Sequence, residues 1–322
     1  MFAIEVNKLV KEYKNRVRAL DELNLSVKSG EIFALLGPNG AGKSSLINTL
    51  TTYLTPTSGS VTMLGRDLIR EASYIRPHIA CVAQKISIDT HLSMMENLVF
   101  QSRIYKLDPK SAKININKLI KSFNLGQYLK YPVGSYSGGI KRRLDIAMNM
   151  VSNPKILFLD EPTVGLDIES RKALWDIILK IRNEFGTTVF LTTHYLEEAD
   201  ELSDTVCIIK DGHEVIQGTP DSLRGLFKQN KLRIGFDSTE KAENCNKALL
   251  STFALNKKII NSIKTFNTYV LIRSNDIKSI FKSINTWLLD DRIDFTSLEI
   301  IQPTLEDIFL SFTKQDNKGE SL

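Results

Sequence analysis

The sequence is short of cysteine, has no long hydrophobic run and carries no excess of one charge. Its three cysteines, Cys81, Cys207 and Cys245, are odd in number, far apart and without metal-ligand spacing. That excludes a disulfide framework and a thiolate metal centre. Cys81 and Cys207 lie in apolar runs and read as buried free thiols. No apolar stretch approaches the roughly 18 residues of a membrane-spanning helix. The first residues, Met1-Phe2-Ala3-Ile4-Glu5, lack the charged start and apolar core of a secretion signal. The expectation is a cytosolic chain that meets a membrane only through a partner. Lys and Arg number 42 against 37 Asp and Glu, and the resulting +5 is spread through the chain, so no nucleic-acid partner is expected. Low-complexity tracts and internal repeats are also missing, which excludes repeat architectures.

At 322 residues, with 42% hydrophobic and 25% charged residues, the chain can bury one large core or two moderate ones. Its most informative stretch is Gly37-Pro38-Asn39-Gly40-Ala41-Gly42-Lys43-Ser44, a glycine, four residues, then Gly-Lys-Ser. Before it, 31–36 is a short apolar run that reads as a buried strand. After it, Ser44 to Leu54 lacks Gly and Pro and reads as a helix. Strand, glycine loop and helix suit phosphate binding: the glycines let backbone N–H groups point inward, and the helix N-terminus adds a positive dipole end. Lys43 would reach the β- and γ-phosphates and the Ser44 hydroxyl would bind Mg²⁺.

Around this loop the strands read as follows. Residues 2–10 and 23–28 are two strands flanking a charged loop that contains Tyr13, an aromatic able to stack on a purine or simply to pack. Ser60–Leu64 alternates like a strand. The buried run Ile79–Ala83 ends at Gln84, and in open α/β sheets ligands lie beyond strand C-termini; an amide there orients water or completes a metal shell, or is only a surface group. From Leu92 to about Leu129 the period becomes helical. Met95, Leu98, Val99, Ile104 and Leu107 form one apolar face; Ile116, Leu119, Ile120 and Phe123 form another. This insertion is where a partner would dock.

Ser137-Gly138-Gly139 precedes a long helical stretch and makes a second anion-binding helix start. Lys141, Arg142 and Arg143 follow in its first turns, where cations oppose the helix dipole; they either meet something acidic or form a solvated face. The apolar strand 155–159 runs into Asp160, suited to hold Mg²⁺, and Glu161, suited to orient or deprotonate water. Strand 187–192 leads to His194 on the same side. Strands 206–210 and 214–217, joined at Asp211-Gly212, and a short helix from Thr219 complete this part. Beyond residue 228 the composition shifts to Lys, Asn and Ile. The pattern there predicts strand 231–236, helix 240–253, strands 257–264 and 268–273, helix 276–289, strand 294–301 and helix 304–313, a split βαβ, ferredoxin-like order.

Together these motifs resemble the ATP-binding subunit of ABC transporters, over residues 2–222. The resemblance implies an α/β fold of the P-loop NTPase type with a helical insertion at about 90–150. To this is added a smaller α+β accessory domain over 228–313 and a flexible tail over 314–322. It implies ATP and Mg²⁺ as cofactors, and it assigns Tyr13 to adenine stacking and Gly37 to Ser44, with Ser45, to the Walker A loop. Gln84 becomes the Q-loop glutamine, Ser137, Gly138 and Gly139 the signature motif, Asp160 the Walker B acid and Glu161 the catalytic base. Asp167 becomes the D-loop acid and His194 the switch histidine.

Ile140 stands where many members have Gln. That variant, and Pro303-Thr304-Leu305-Glu306-Asp307-Ile308-Phe309-Leu310, resemble the daunorubicin-resistance, ABC-2 type exporter ATPases. The partners so implied are an integral membrane permease, which would hold this chain at the cytoplasmic face of the membrane, and a second ATP-binding subunit, an identical chain. A soluble, non-transport ABC ATPase is the alternative. Ribosome-acting members carry two cassettes and DNA-repair members a long coiled coil, and neither is present here.

Overall fold

The structure, a computed structural model, describes residues 1–226, 230–253, 260–274 and 276–313. Five apolar runs become parallel strands because both of their faces can be covered. These are β3 (Ile32–Leu36), β6 (Ile79–Val82), β7 (Ile156–Asp160), β8 (Thr188–Thr193) and β9 (Thr205–Lys210). With β10 (His213–Gly218) antiparallel at one edge, the order is β10-β9-β3-β8-β7-β6. Helix α1 (Lys43–Leu50) follows β3, α6 (Ile168–Phe185) follows β7 and α7 (Leu196–Leu202) follows β8. Phe190 stacks on Phe33 with ring centroids 5.0 Å apart and lies 5.5 Å from Phe158, so three neighbouring strands share one aromatic layer.

A second sheet closes over this core. It is antiparallel, in the order β2-β1-β4-β5, from β1 (Phe2–Glu12), β2 (Arg18–Lys28), β4 (Ser58–Met63) and β5 (Arg66–Asp67). The charged loop expected between residues 10 and 23 is much shorter than that. Lys11 pairs with Leu20 and Glu12 with Arg18, while Leu20 and Leu23 are fully buried. The charges occupy the outer face of a hairpin, where an antiparallel sheet tolerates them. The helix after the glycine loop also stops earlier than expected, at Leu50, because Thr52 takes φ +62° and reverses the chain.

After the short α2 (Ala72–Ile75), the helical insertion comprises α3 (Met94–Ile104), α4 (Pro109–Ser122) and α5 (Gly138–Met150). Ser93 and Glu96 form a capping box on α3, and Asp108 caps α4. Of the expected apolar face on α3, Leu98 is buried, but Met95 and Ile104 are exposed and Met94 is buried instead. Met95, Val99 and Leu107 line, with Ala112 and Ile116 of α4, a cavity of about 360 Å³.

The chain divides after Pro220, within the helix α8 (Pro220–Leu226). The following unit has β11 (Asn230–Gly235), α9 (Thr239–Phe253), β12 (Ile260–Phe266), β13 (Tyr269–Ser274), α10 (Ile277–Asp290), β14 (Ser297–Ile301) and α11 (Leu305–Thr313). Its sheet runs β12-β13-β11-β14, each neighbour antiparallel. Strand β13 therefore splits the β11–α9–β12 crossover, the ferredoxin-like arrangement expected. Leu232, Ile234, Val270 and Ile272 point to one face and pack with Ile280, Ile284 and Leu288 of α10 and Leu249 of α9. Of the expected elements, 257–259 and the tail 314–322 lie outside the described residues.

Candidate active site

Four strands end side by side, in the spatial order β3, β8, β7, β6. Beyond their C-termini lie the glycine loop, His194, Asp160–Glu161 and Gln84. Residues up to 157 positions apart in the sequence thus share one sheet edge, the edge at which open α/β sheets bind ligands.

The glycine loop is held from both sides. Ala41 N–H donates to the Pro38 carbonyl at 3.2 Å, and Gly212 N–H, in the β9–β10 turn, donates to the Ala41 carbonyl at 3.2 Å. A Cβ on Gly37 would lie 2.7 Å from the Ile209 carbonyl oxygen. On Gly42, at φ +105°, it would lie 2.4 Å from that of Ala19. Both positions therefore require glycine. Lys43 starts α1 only 7% exposed, and its Nζ donates to the carbonyls of Gly37 at 2.7 Å and Pro38 at 3.2 Å. Burial lowers its pKa, and Glu161 and Asp160 pull it back up. The buried cation is thus balanced by the acids across the site. Tyr13 lies just past β1, with its hydroxyl 3.0 Å from Ser45 Oγ and the Lys11 ammonium 5.5 Å from its ring centre.

Asp160 and Glu161 are fixed by Thr192 of β8, a residue sequence reasoning passed over. Thr192 Oγ1 donates to Asp160 Oδ1 at 2.6 Å, and Glu161 N–H meets the Thr192 carbonyl and Oγ1 at 3.1 Å each. Those bonds hold Glu161 at φ +46°, a conformation that costs a non-glycine residue about 1–3 kcal/mol. Gln84 Nε2 donates to Glu161 Oε2 at 3.2 Å, and His194 Nδ1 lies 3.5 Å from Oε1. Glutamine, glutamate and histidine are therefore assembled as one group. The His194 ring leans on Tyr195 at 4.2 Å, and Tyr195 carries the Arg171 guanidinium at 4.3 Å.

The remaining expected residues sit elsewhere. Ser137 caps α5, accepting from Ile140 N–H at 3.4 Å. Asp167 caps α6, accepting from Ser170 N–H at 2.8 Å and from its hydroxyl at 2.9 Å, and these bonds hold its pKa below the usual carboxylate range. A Cβ on Gly139 would lie 2.5 Å from Ser170 Oγ, so this glycine lets α5 approach α6. Among the described residues no hydrogen bond joins 137–139 or Asp167 to the glycine loop. Of the three basic residues, Arg142 does meet something acidic rather than forming a solvated face, and the acid, Asp145, belongs to this chain. Arg142 is 3% exposed and bonded to this chain's own carbonyls and to Asp145. Its signal was a cation in a helix's first turns, against the dipole.

Residues 20–164 match the family described as ABC transporter. The daunorubicin/doxorubicin resistance ATP-binding protein DrrA of Streptomyces peucetius is 35% identical over 311 residues, covering 97% of this chain and 92% of that protein. The chain belongs to the ABC transporter ATP-binding proteins. A doxorubicin resistance ATP-binding protein of Mycobacterium tuberculosis is 40% identical over 223 residues, 69% of this chain and 67% of that one. A solved ATP-binding cassette, dimeric in a post-hydrolysis state with ADP and Pi, superposes with a TM-score of 0.59 at 25% identity. That match covers 67% of this chain and 98% of the other. As an ABC ATPase the chain binds and hydrolyses ATP. No helix among its described residues is long and apolar enough to cross a membrane.

Proposed function

We propose that this ABC ATPase powers a separate membrane permease of an exporter, acting at the cytoplasmic face of the membrane as a head-to-tail pair of identical subunits. The observation that carries the catalytic part is the grouping of Gln84, Glu161 and His194 beside the buried Lys43. In this reading Gly37, Pro38, Asn39, Gly40, Ala41, Gly42 and Ser45 wrap the phosphates with backbone and hydroxyl groups, Lys43 neutralises the β- and γ-phosphates, and Tyr13 carries the adenine. Ser44, Asp160 and Gln84 offer hydroxyl, carboxylate and amide oxygens, the hard donors that suit Mg²⁺. Bound there, Mg²⁺ supplies neutralising charge for the phosphates. Glu161 takes the proton of the attacking water, Gln84 orients that water, and His194 holds the carboxylate and the γ-phosphate side. The chain's work is mainly positioning and charge stabilisation.

Among the described residues no hydrogen bond joins Ser137, Gly138 or Gly139 to their own glycine loop, which supports service to the nucleotide of a facing subunit, with Asp167 at the same junction. The exporter reading rests on the drug-resistance relatives, of which the Streptomyces peucetius protein is alike past the ATPase unit, over 97% of this chain. The groove between α3 and α4, with Met95 exposed at its mouth, is the surface assigned to the permease. In Glu161→Gln, gel filtration with ATP should show a trapped dimer and the phosphate-release rate should fall to background. Normal hydrolysis in that variant would remove Glu161 as the base.

A further inference from the structure

Arg142 is buried in the ATPase unit, and its N–H groups go to three backbone carbonyls and one buried carboxylate. Its Nε donates to the Pro162 carbonyl at 3.0 Å. Its Nη1 donates to the Ala83 carbonyl at 2.6 Å and to Asp145 Oδ2 at 3.4 Å, and its Nη2 to the Asp160 carbonyl at 3.2 Å. Asp145, 1% exposed, is held in turn by the Ser87 hydroxyl at 2.6 Å. The placement of the three carbonyls gives the cluster its meaning. Ala83 immediately precedes Gln84, and Asp160 and Pro162 flank Glu161. One planar guanidinium therefore joins the end of β6 to the end of β7, from a helix that begins at Ser137.

We infer that Arg142 is a positioning residue for hydrolysis: it sets the spacing between Gln84 and Glu161 and ties both to α5. The fork geometry of arginine is what the arrangement uses, because five N–H donors in one plane can hold separate acceptors at fixed angles, and a lysine cannot. Buried charge explains the rest of the cluster. A guanidinium bonded mainly to neutral carbonyls still needs a counter-charge when desolvated, and Asp145 supplies it from the next turn of the same helix. Movement of the α5 N-terminus is then transmitted to the glutamine and the glutamate together. The inference rests on Glu161 as base.

The test compares full-length wild type, Arg142→Lys, Arg142→Met, the double variant Arg142→Met/Asp145→Leu, and Glu161→Gln. For each, thermal unfolding, ATP affinity and the kcat and KM for ATP are measured. Arg142→Met alone leaves Asp145 buried and unpaired and should lower Tm. The double variant removes both charges and should recover Tm. If Arg142 positions the catalytic pair, the double variant keeps its ATP affinity and KM within about two-fold while kcat stays down on the order of a hundred-fold, the scale of small misplacements at a reacting centre. Arg142→Lys should recover only part of that kcat. Wild-type kcat in the double variant would show that Arg142 merely neutralises Asp145, and would overturn the inference. A parallel fall in kcat, affinity and Tm would overturn it too. Normal turnover in Glu161→Gln would remove the base and this inference with it, whereas lost turnover there beside normal kcat in the double variant removes the inference alone.

Discussion

Thr192 and Glu198 show what single buried side chains contribute, the first to the site and the second to stability. Thr192 is fully buried and holds both the Asp160 carboxylate and the Glu161 backbone. Thr192→Val keeps the shape and loses both bonds. The Mg²⁺ concentration for half-maximal turnover should rise roughly ten-fold, as read from ATPase rates in a Mg²⁺ titration; an unchanged titration would mean that Asp160 is oriented by other contacts. Glu198, in the helix after His194, is also fully buried and accepts from Trp175 Nε1 at 3.1 Å. Burial pushes its carboxyl pKa up, and the nearby Thr193, Thr163 and Trp175 pull it back only in part. A raised carboxyl binds its proton more readily folded than unfolded, so between its folded value and the ordinary glutamate range stability rises as pH falls. Glu198→Gln should flatten that part of the Tm-against-pH curve relative to wild type while leaving the protein folded. A variant curve parallel to wild type would sink this assignment.

Helix ends and helix contacts dominate at the next scale. Helix α5 begins with Ser137 as its cap and passes so close to α6 that Gly139 has no room for a methyl group. Gly139→Ala should destabilise by about 1–3 kcal/mol through overpacking, measured by urea unfolding. Ser170→Gly in the same chain should restore most of it, since the clash is with the Ser170 side chain. Failure of that rescue would mean the glycine serves something other than helix approach. In α3, apolar periodicity alone misplaced part of the buried face. An amphipathic pattern says that one side of a helix is buried but fixes the angle only to within a residue or so, and Met94 rather than Met95 faces inward.

At the scale of the whole molecule, the described residues of each unit bury a hydrophobic core of their own. One of them lies between the two sheets of the ATPase unit, and another between the sheet β12-β13-β11-β14 and helices α9 and α10. Ile284 is fully buried in the second. Ile284→Ala should cost that unit about 2–5 kcal/mol and leave ATP affinity unchanged, because none of the nucleotide-site residues belongs to it. Calorimetry with and without ATP checks this; weakened nucleotide binding would show that the two units share their stability.

Local chemistry made much of this protein legible before any coordinates. Gly37, Gly40, Gly42 and Lys43 mark a phosphate loop because few other residues permit that backbone, and buried parallel strands announce themselves as short apolar runs. The split βαβ order of the second unit followed from the alternation of periods alone. What the linear pattern could not contain was the neighbourhood of each strand end. That Gln84, Glu161 and His194 meet depends on the spatial order β3, β8, β7, β6. The roles of Thr192 and Arg142 depend on which carbonyl or carboxylate lies opposite, and the hairpin hidden in the charged stretch depends on register. Residue type and spacing determined the chemistry on offer. Sheet order, register and burial decided which groups share it, because hydrogen bonds and charge pairs act over a few ångströms in space rather than along the chain.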